Sequence, residues 1–317
     1  MHNTNVTVRA IAVFICLTTL SAFGFPQQAK ARIPEDRPAL PSKASAALVA
    51  LPTIDPDGTV HYPHLPFSTA TSTISTGRRS ADGACHFASS FSGKAGTSVY
   101  SSEVSFNPIT CVQETMSGEL TIEGKASLLE SNLKAELSGQ MTGRSTLQQI
   151  PNPSLQKSTP TSASLVTNTS HTKGRWVDPV YITITSLSVN LQWASDGTSW
   201  VWATGYNQPY QFSWDGWTNS GTPPFTPYSS GTNGNSVSSP GSEWFRNVDF
   251  EAVLLLTMGF AAYAACGFNT DPAIFEHYRE MKGNPDGGWV ASANDAKTGG
   301  CSNLVHHDDD NGWGYQN

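Results

Sequence analysis

Val180-Tyr-Ile-Thr-Ile-Thr-Ser-Leu-Ser-Val-Asn-Leu-Gln-Trp-Ala-Ser-Asp-Gly-Thr-Ser-Trp200 is the stretch on which the fold turns. Val180, Ile182 and Ile184 alternate with polar neighbours, as a strand with one buried face requires. Leu187, Val189, Leu191 and Trp193 then alternate in the opposite phase. A slip of one residue sends every side chain to the other face, so the switch predicts a bulge or turn near Thr185-Ser186. Asp196-Gly197 is a strong two-residue hairpin signal, because both central positions of a type I′ turn take positive φ. A two-residue loop sets Ser195 against Thr198, Trp193 against Trp200 and Leu191 against Trp202. Tyr210, Phe212 and Trp214 continue as a third strand toward Asp215-Gly216-Trp217.

Working outward, the same habit recurs. Ala84 to Leu120 reads as short strands, with Ser98–Phe106 closing on the turn signal Asn107-Pro108. Phe275–Lys282 and Trp289–Ala293 flank Asn284-Pro-Asp-Gly-Gly288 and read as a hairpin. A competing helix, capped at Asp271-Pro272, would place Ile274, Tyr278 and Met281 on one side. The one helical spacing adopted is Leu128, Leu129, Leu133 and Leu137, a short helix over 127–138 between Gly124 and Gly139. The expected fold class is therefore mainly β, antiparallel sheets or a β-sandwich, with that one helix.

Composition agrees. Only 14% of the 317 residues are charged, against about 25% in an ordinary soluble domain. Ser, Thr, Asn and Gly must supply much of the polar surface. The net charge of −7 and the lack of a basic patch argue against nucleic acid or an anionic membrane as partner.

The N-terminus reads as an export signal. Arg9 precedes the apolar run Ala10–Leu20, and Ala22-Phe-Gly24 or Ala29-Lys-Ala31 offers the small-x-small exit. The run is shorter than the roughly 20 residues a membrane span needs. Removal of 1–31 takes Cys16 with it and leaves Cys85, Cys111, Cys266 and Cys301, an even number suited to disulfides in an oxidising compartment. Of three connectivities, Cys85 with Cys111 and Cys266 with Cys301 close the shorter loops.

Pro/Ser/Thr-rich stretches divide the rest. Residues 32–66 read as an extended leader, 67–149 as an N-terminal β-rich part and 150–174 as a linker. A C-terminal β-rich domain over 175–307 and an acidic tail over 308–317 follow. Ala252–Phe268 is strongly apolar but reaches only the lower edge of a spanning length, so it is expected in a core rather than in a bilayer.

Three groups of residues have chemistry. Trp200, Trp202, Trp214 and Trp217 could stack on sugar faces, although cross-strand aromatics more commonly pack a core. His306, His307 and the following aspartates have metal-ligand atoms, but neighbours on a strand point to opposite faces, and a terminal acidic run usually ends in water. Glu276, His277 and Glu280 read as a solvated face. No Gly-x-Ser-x-Gly, His-Glu-x-x-His, phosphate loop or EF-hand ladder is present. No catalytic residue, metal site or cofactor is therefore assigned.

Several short motifs also resemble a family of uncharacterised exported actinobacterial proteins. They are Asp196-Gly197 with Val201, Ala203 and Gly205-Tyr206, then Gly216-Trp217, Phe245-Arg-Asn with Phe250, Asp286-Gly287 and Gly300-Cys-Ser-Asn-Leu-Val-His306. Cys85 with Ser105-Phe-Asn-Pro-Ile-Thr-Cys111 is similar too. The apolar stretch within Asp249 to Phe268 is longer than the family pattern. The resemblance implies an exported, disulfide-bonded, β-rich protein and carries no catalytic residues with it.

Three functions are expected, in order: an exported β protein that binds or builds at the cell surface or in the medium, a carbohydrate-binding module acting on extracellular glycan, and a secreted hydrolase with dispersed carboxylates. Two carboxylates converging in a pocket would mark the last.

Overall fold

The computed structural model describes residues 51–141, 149–153, 165–179, 181–212, 216–221, 224–250, 266 and 271–314. They fall in one compact unit. The expected export segment, Val180, Trp214 and nearly all of Ala252–Phe268 lie outside the described residues. No described helix is long and apolar enough to cross a membrane.

The chain is mainly β. Its strands are β1 (Thr53–Ile54), β2 (Val60–His61), β3 (Phe67–Thr76), β4 (Arg78–Arg79), β5 (Cys85–Gly93), β6 (Ser98–Asn107) and β7 (Val112–Leu120). Helix α1 (Ile122–Ser138) follows, then β8 (Gly139–Met141), β9 (Ile150–Pro151), β10 (Val166–Val177), β11 (Thr183–Ser195) and β12 (Trp200–Phe212). The last are β13 (Thr218–Asn219), β14 (Tyr228–Ser230), β15 (Ser236–Asn247), β16 (Ala273–Gly283), β17 (Trp289–Thr298) and β18 (His306–Trp313).

Every pairing among the described strands is antiparallel. One sheet runs β3, β7, β6, β18, β10, β11, β12, with β2 also on β6 and both β8 and β9 on β12. The other runs β13, β15, β16, β17, β5, β4. The sheets pack face to face through β10, β11 and β12 against β15 and β16. Two clusters fill the interface: one around Trp176, Ile184, Trp217, Phe245 and Phe275, the other around Val189, Leu191, Trp193, Trp200, Met281 and Trp289.

The phase switch in the opening stretch is real. Trp176 pairs with Thr185 but Val177 with Thr183, so Ile184 is bulged out of the β10 register. That lets Ile184 join the same interior as the odd-numbered Leu187–Trp193 set. The hairpin register differs from expectation. Asp196 Oδ1 accepts hydrogen bonds from the backbone N–H of Thr198 and of Ser199, each at 2.8 Å, and from the Thr198 hydroxyl. These bonds favour a four-residue loop, 196–199, and Gly197 carries the positive φ. Ser195 therefore faces Trp200, Trp193 faces Ala203, and Leu191 faces Gly205. Tyr210 and Phe212 belong to β12 itself, not to a third strand.

Other boundaries move as well. Helix α1 starts at Ile122 and takes in Gly124, because Thr121 caps it through its Oγ1 to the Gly124 N–H at 3.0 Å. Residues 51–66 are no loose leader: Val60, Tyr62 and Leu65 are buried, and the Tyr62 hydroxyl donates to the Asn303 carbonyl at 2.6 Å. The supposed linker supplies β10, a strand near the sheet centre. The two halves share both sheets, since β6 pairs with β18 and β5 with β17. The disulfides Cys85–Cys111 and Cys266–Cys301 are both formed. The first ties β5 of one sheet to the β6–β7 turn of the other.

The largest departure is the acidic tail. His306–Trp313 does not fray in water; it is β18, hydrogen-bonded between β6 and β10. Burial of an aspartate is costly unless a cation and hydrogen bonds meet it. Here Asp308 receives Arg175, Tyr100 and Tyr181 on one side of the sheet, and Asp309 receives Arg279 on the other.

Candidate functional site

Period-two alternation along β18 sends His307 and Asp309 toward the second sheet and His306 and Asp308 away from it. On β16 the same rule turns His277 and Arg279 inward and leaves Glu276, Tyr278 and Glu280 toward the surface. The expected acid/base face of Glu276, His277 and Glu280 is thus split in two. On β17, Asp295 and Lys297 share the inward parity of Ala291 and Ala293.

These strands build a buried ionic cluster around Arg279. Its Nη2 donates to Asp295 Oδ2 at 2.6 Å and to His307 Nε2 at 2.9 Å, and its Nη1 donates to Asp309 Oδ1. His277 Nδ1 lies 3.2 Å from Asp295 Oδ1 and its Nε2 lies 3.4 Å from Thr185 Oγ1. Gly174, paired with Asp309 across β10 and β18, leaves the space the guanidinium occupies. Beside the cluster, Lys297 donates to both carboxylate oxygens of Glu103 at 3.0 Å, to the Tyr62 hydroxyl and to the Val305 carbonyl. Glu103 Oε2 also accepts the His307 backbone N–H at 3.0 Å.

Burial, and then the Arg279 charge, holds the His277 and His307 imidazoles well below the usual histidine range, so both are neutral. Burial pushes the Asp295 and Asp309 carboxyls up despite Arg279. Acids displaced in this way and lining a cavity are the physical mark of a candidate site.

The cavity has a volume of about 280 Å³. Asp295, His307 and Asp309 lie at one wall with Trp176 and Glu103. A second wall comes from the β3, β7 and β6 wing of the first sheet. There the pairings Thr73 with Thr115, Ser75 with Gln113, and Ser117 with Ser101 line up hydroxyl and carboxamide groups in rows. Strand β5 supplies Phe87, Ser89, Ser90 and Phe91.

His277, Asp295 and His307 each bring a ligand atom to within 4.8 Å of the others, a spacing a metal ion can use. The Arg279 guanidinium already donates to two of the three, so a metal ion would have to displace a buried fixed cation. The cluster carries its own positive charge.

The described members of the tryptophan group do not assemble. Trp200 and Trp217 are buried in different core clusters, Trp202 is half-buried on β12, and Trp214 lies outside the described residues. Core packing claims the large indoles because each buries more apolar area than any neighbour. His306 and His307 do point to opposite faces, and only His307 reaches the cavity. Asp295, Glu103, Arg279 and Trp176 were not singled out from sequence. The parity of Ala291, Ala293, Asp295 and Lys297, charges on an apolar face, was the available signal. Comparisons with protein-family models, with curated proteins and with solved structures found no match.

Proposed function

We propose that the protein is an exported, disulfide-stabilised β protein that acts by binding a small polyhydroxylated ligand, a sugar unit of a cell-surface or extracellular glycan, in the cavity between its sheets. The observation that carries this reading is the wall chemistry. Rows of Ser, Thr and Gln side chains face carboxylates, with Phe87 and Phe91 alongside. Sugars need that combination, hydrogen-bond partners for hydroxyls and flat apolar surface for ring faces. The volume, a little under the roughly 300 Å³ at which drug-sized pockets begin, suits one small unit. Two disulfides and the signal-like N-terminus support the compartment.

A glycan array followed by calorimetry on the disulfide-intact protein tests this. Thr73 is exposed at the rim, so Thr73→Phe narrows the cavity without touching the core and is expected to abolish the signal. Binding that survives Thr73→Phe but disappears with changes at Trp202 would move the site to the tryptophan strand.

Asp295 and Asp309, carried by two different strands onto one guanidinium, favour a second reading as a secreted hydrolase. Release of reducing ends from bound oligosaccharides, lost in Asp309→Asn, would support it; binding without turnover leaves the first reading alone.

A further inference from the structure

We infer that the cavity selects a ligand bearing a primary ammonium group beside its hydroxyls, such as an amino sugar, and that Asp309 Oδ2 is the atom that receives it. This rests on the sugar-binding reading above and narrows its substrate class.

Three carboxylates reach the cavity region, Glu103 on β6, Asp295 on β17 and Asp309 on β18. Two fixed cations meet them, Arg279 on β16 and Lys297 on β17. His307, which lines the cavity, and His277, which meets Asp295, are held neutral by burial and by Arg279. With all three acids ionised, one negative charge is left over.

Hydrogen bonding says where it sits. Both Glu103 oxygens accept from Lys297, and Oε2 accepts from the His307 backbone as well. Asp295 Oδ1 faces His277 Nδ1 and Oδ2 accepts from Arg279. Asp309 Oδ1 accepts from Arg279. Asp309 Oδ2 accepts no hydrogen bond among the described residues; His307 Nδ1 lies 3.7 Å from it. Asp309 is itself among the cavity-lining residues. A charge-assisted donor is therefore the complement this site lacks, and Phe87 and Phe91, which also line the cavity on β5 beside β17, add aromatic rings suited to a cation. An acidic sugar would meet the same excess charge as repulsion.

Binding would also move a proton. Burial holds the empty Asp309 carboxyl up at about 7, so an arriving ammonium group stabilises the carboxylate and expels its proton to solvent. The carboxyl O–H is the one bond that breaks, and its proton passes to the buffer.

The test is calorimetry at pH 7 on the full chain with disulfides intact, using glucosamine, glucose and N-acetylglucosamine. Glucosamine is expected to bind about tenfold more tightly than glucose. N-acetylglucosamine, which lacks the charge, should rank with glucose. Repeating the glucosamine titration in buffers of different ionisation enthalpy should reveal proton release. Asp309→Asn should bring glucosamine down to the glucose level. Phe91→Leu, a half-buried position on the cavity wall, provides a variant that keeps the ionic cluster whole and should weaken glucosamine a few-fold more than glucose. Equal affinity for glucosamine and glucose would overturn the inference while leaving the sugar-binding reading in place. Absence of binding by all three sugars would overturn both.

Discussion

Arg279 lies over the α-carbon of Gly174, its guanidinium filling the volume that any β-carbon at position 174 would occupy. The two residues come from different sheets, so this contact sets how closely β10 and β16 approach. It also fixes the cation on which Asp295 and Asp309 converge. Gly174→Ala is expected to expel the guanidinium and strand two buried carboxylates, a loss of about 3 to 5 kcal/mol. Chemical denaturation measures it. Gly197→Ala is the control: position 197 has a positive φ but open space around it, and should cost only about 1 kcal/mol.

Lys297 and Glu103 form a second buried pair whose side chains are 1% and 2% exposed. Lys297→Met or Glu103→Gln alone should destabilise by roughly 3 to 5 kcal/mol, because each leaves its partner charged or underbonded in the interior. The double variant should recover part of that loss. A double-mutant cycle in urea checks the expectation, and strict additivity would refute it.

His306 sits between the rings of Tyr62 and Tyr181, at 5.5 and 5.4 Å, and both its ring nitrogens lack hydrogen-bond partners among the described residues. Burial, the largest influence, pushes it down to about 4. The unfolded chain takes up the proton near the ordinary value of 6.5, so between about 6.5 and 4 the unfolded state binds more protons than the folded one. Stability from this group is therefore fully present above 6.5 and falls as pH drops, by about 1.4 kcal/mol per pH unit. His306→Phe should remove that component of the slope. Denaturation midpoints measured from pH 7.5 to 4.5 in both proteins decide it.

The Cys85–Cys111 bridge closes a separation of 26 residues. Replacing both cysteines with serine should cost about 3 kcal/mol through the freed unfolded chain. The loss should be visible as a lower midpoint in non-reducing denaturation, with the native far-ultraviolet spectrum retained.

Five tryptophans, Trp176, Trp193, Trp200, Trp217 and Trp289, are buried, whereas Trp244 is 43% exposed. Acrylamide should therefore quench Trp244 first, and Trp244→Phe should remove much of the quenchable emission. Trp200→Ala and Trp217→Ala should cost roughly 3 to 5 kcal/mol of stability as cavity-forming changes.

The sheet-forming stretches were legible where the alternation is apolar. Leu187, Val189, Leu191 and Trp193 announce β11, and the phase change before them announces the bulge at Ile184. The β16–β17 hairpin and both disulfide pairings were equally open to inspection. What misled was polarity. Asp196-Gly197 points to a hairpin, but the Asp196 side chain bonds Thr198 and Ser199 and lengthens the loop by two residues, which no propensity for positive φ reveals. His306–Asp310 looks solvated because its partners, Arg175 and Arg279, are remote in sequence. The same remoteness hid the cavity: Glu103, Asp295 and Asp309 become neighbours only when β6, β17 and β18 meet.

Strand β18 is the last of the described strands in sequence and internal in space, the shared neighbour of β6 and β10. Its arrival has a consequence for the order of folding. Until residues 306–313 are available, β6 and β10 cannot be joined, and Arg175 and Arg279 have no Asp308 or Asp309 to meet. Long-range strand pairing of this kind is slow, and here it joins β18 to a strand from the other half of the chain. Strand β18 is in that sense a keystone, the piece that holds the β6 and β10 sides of the first sheet together.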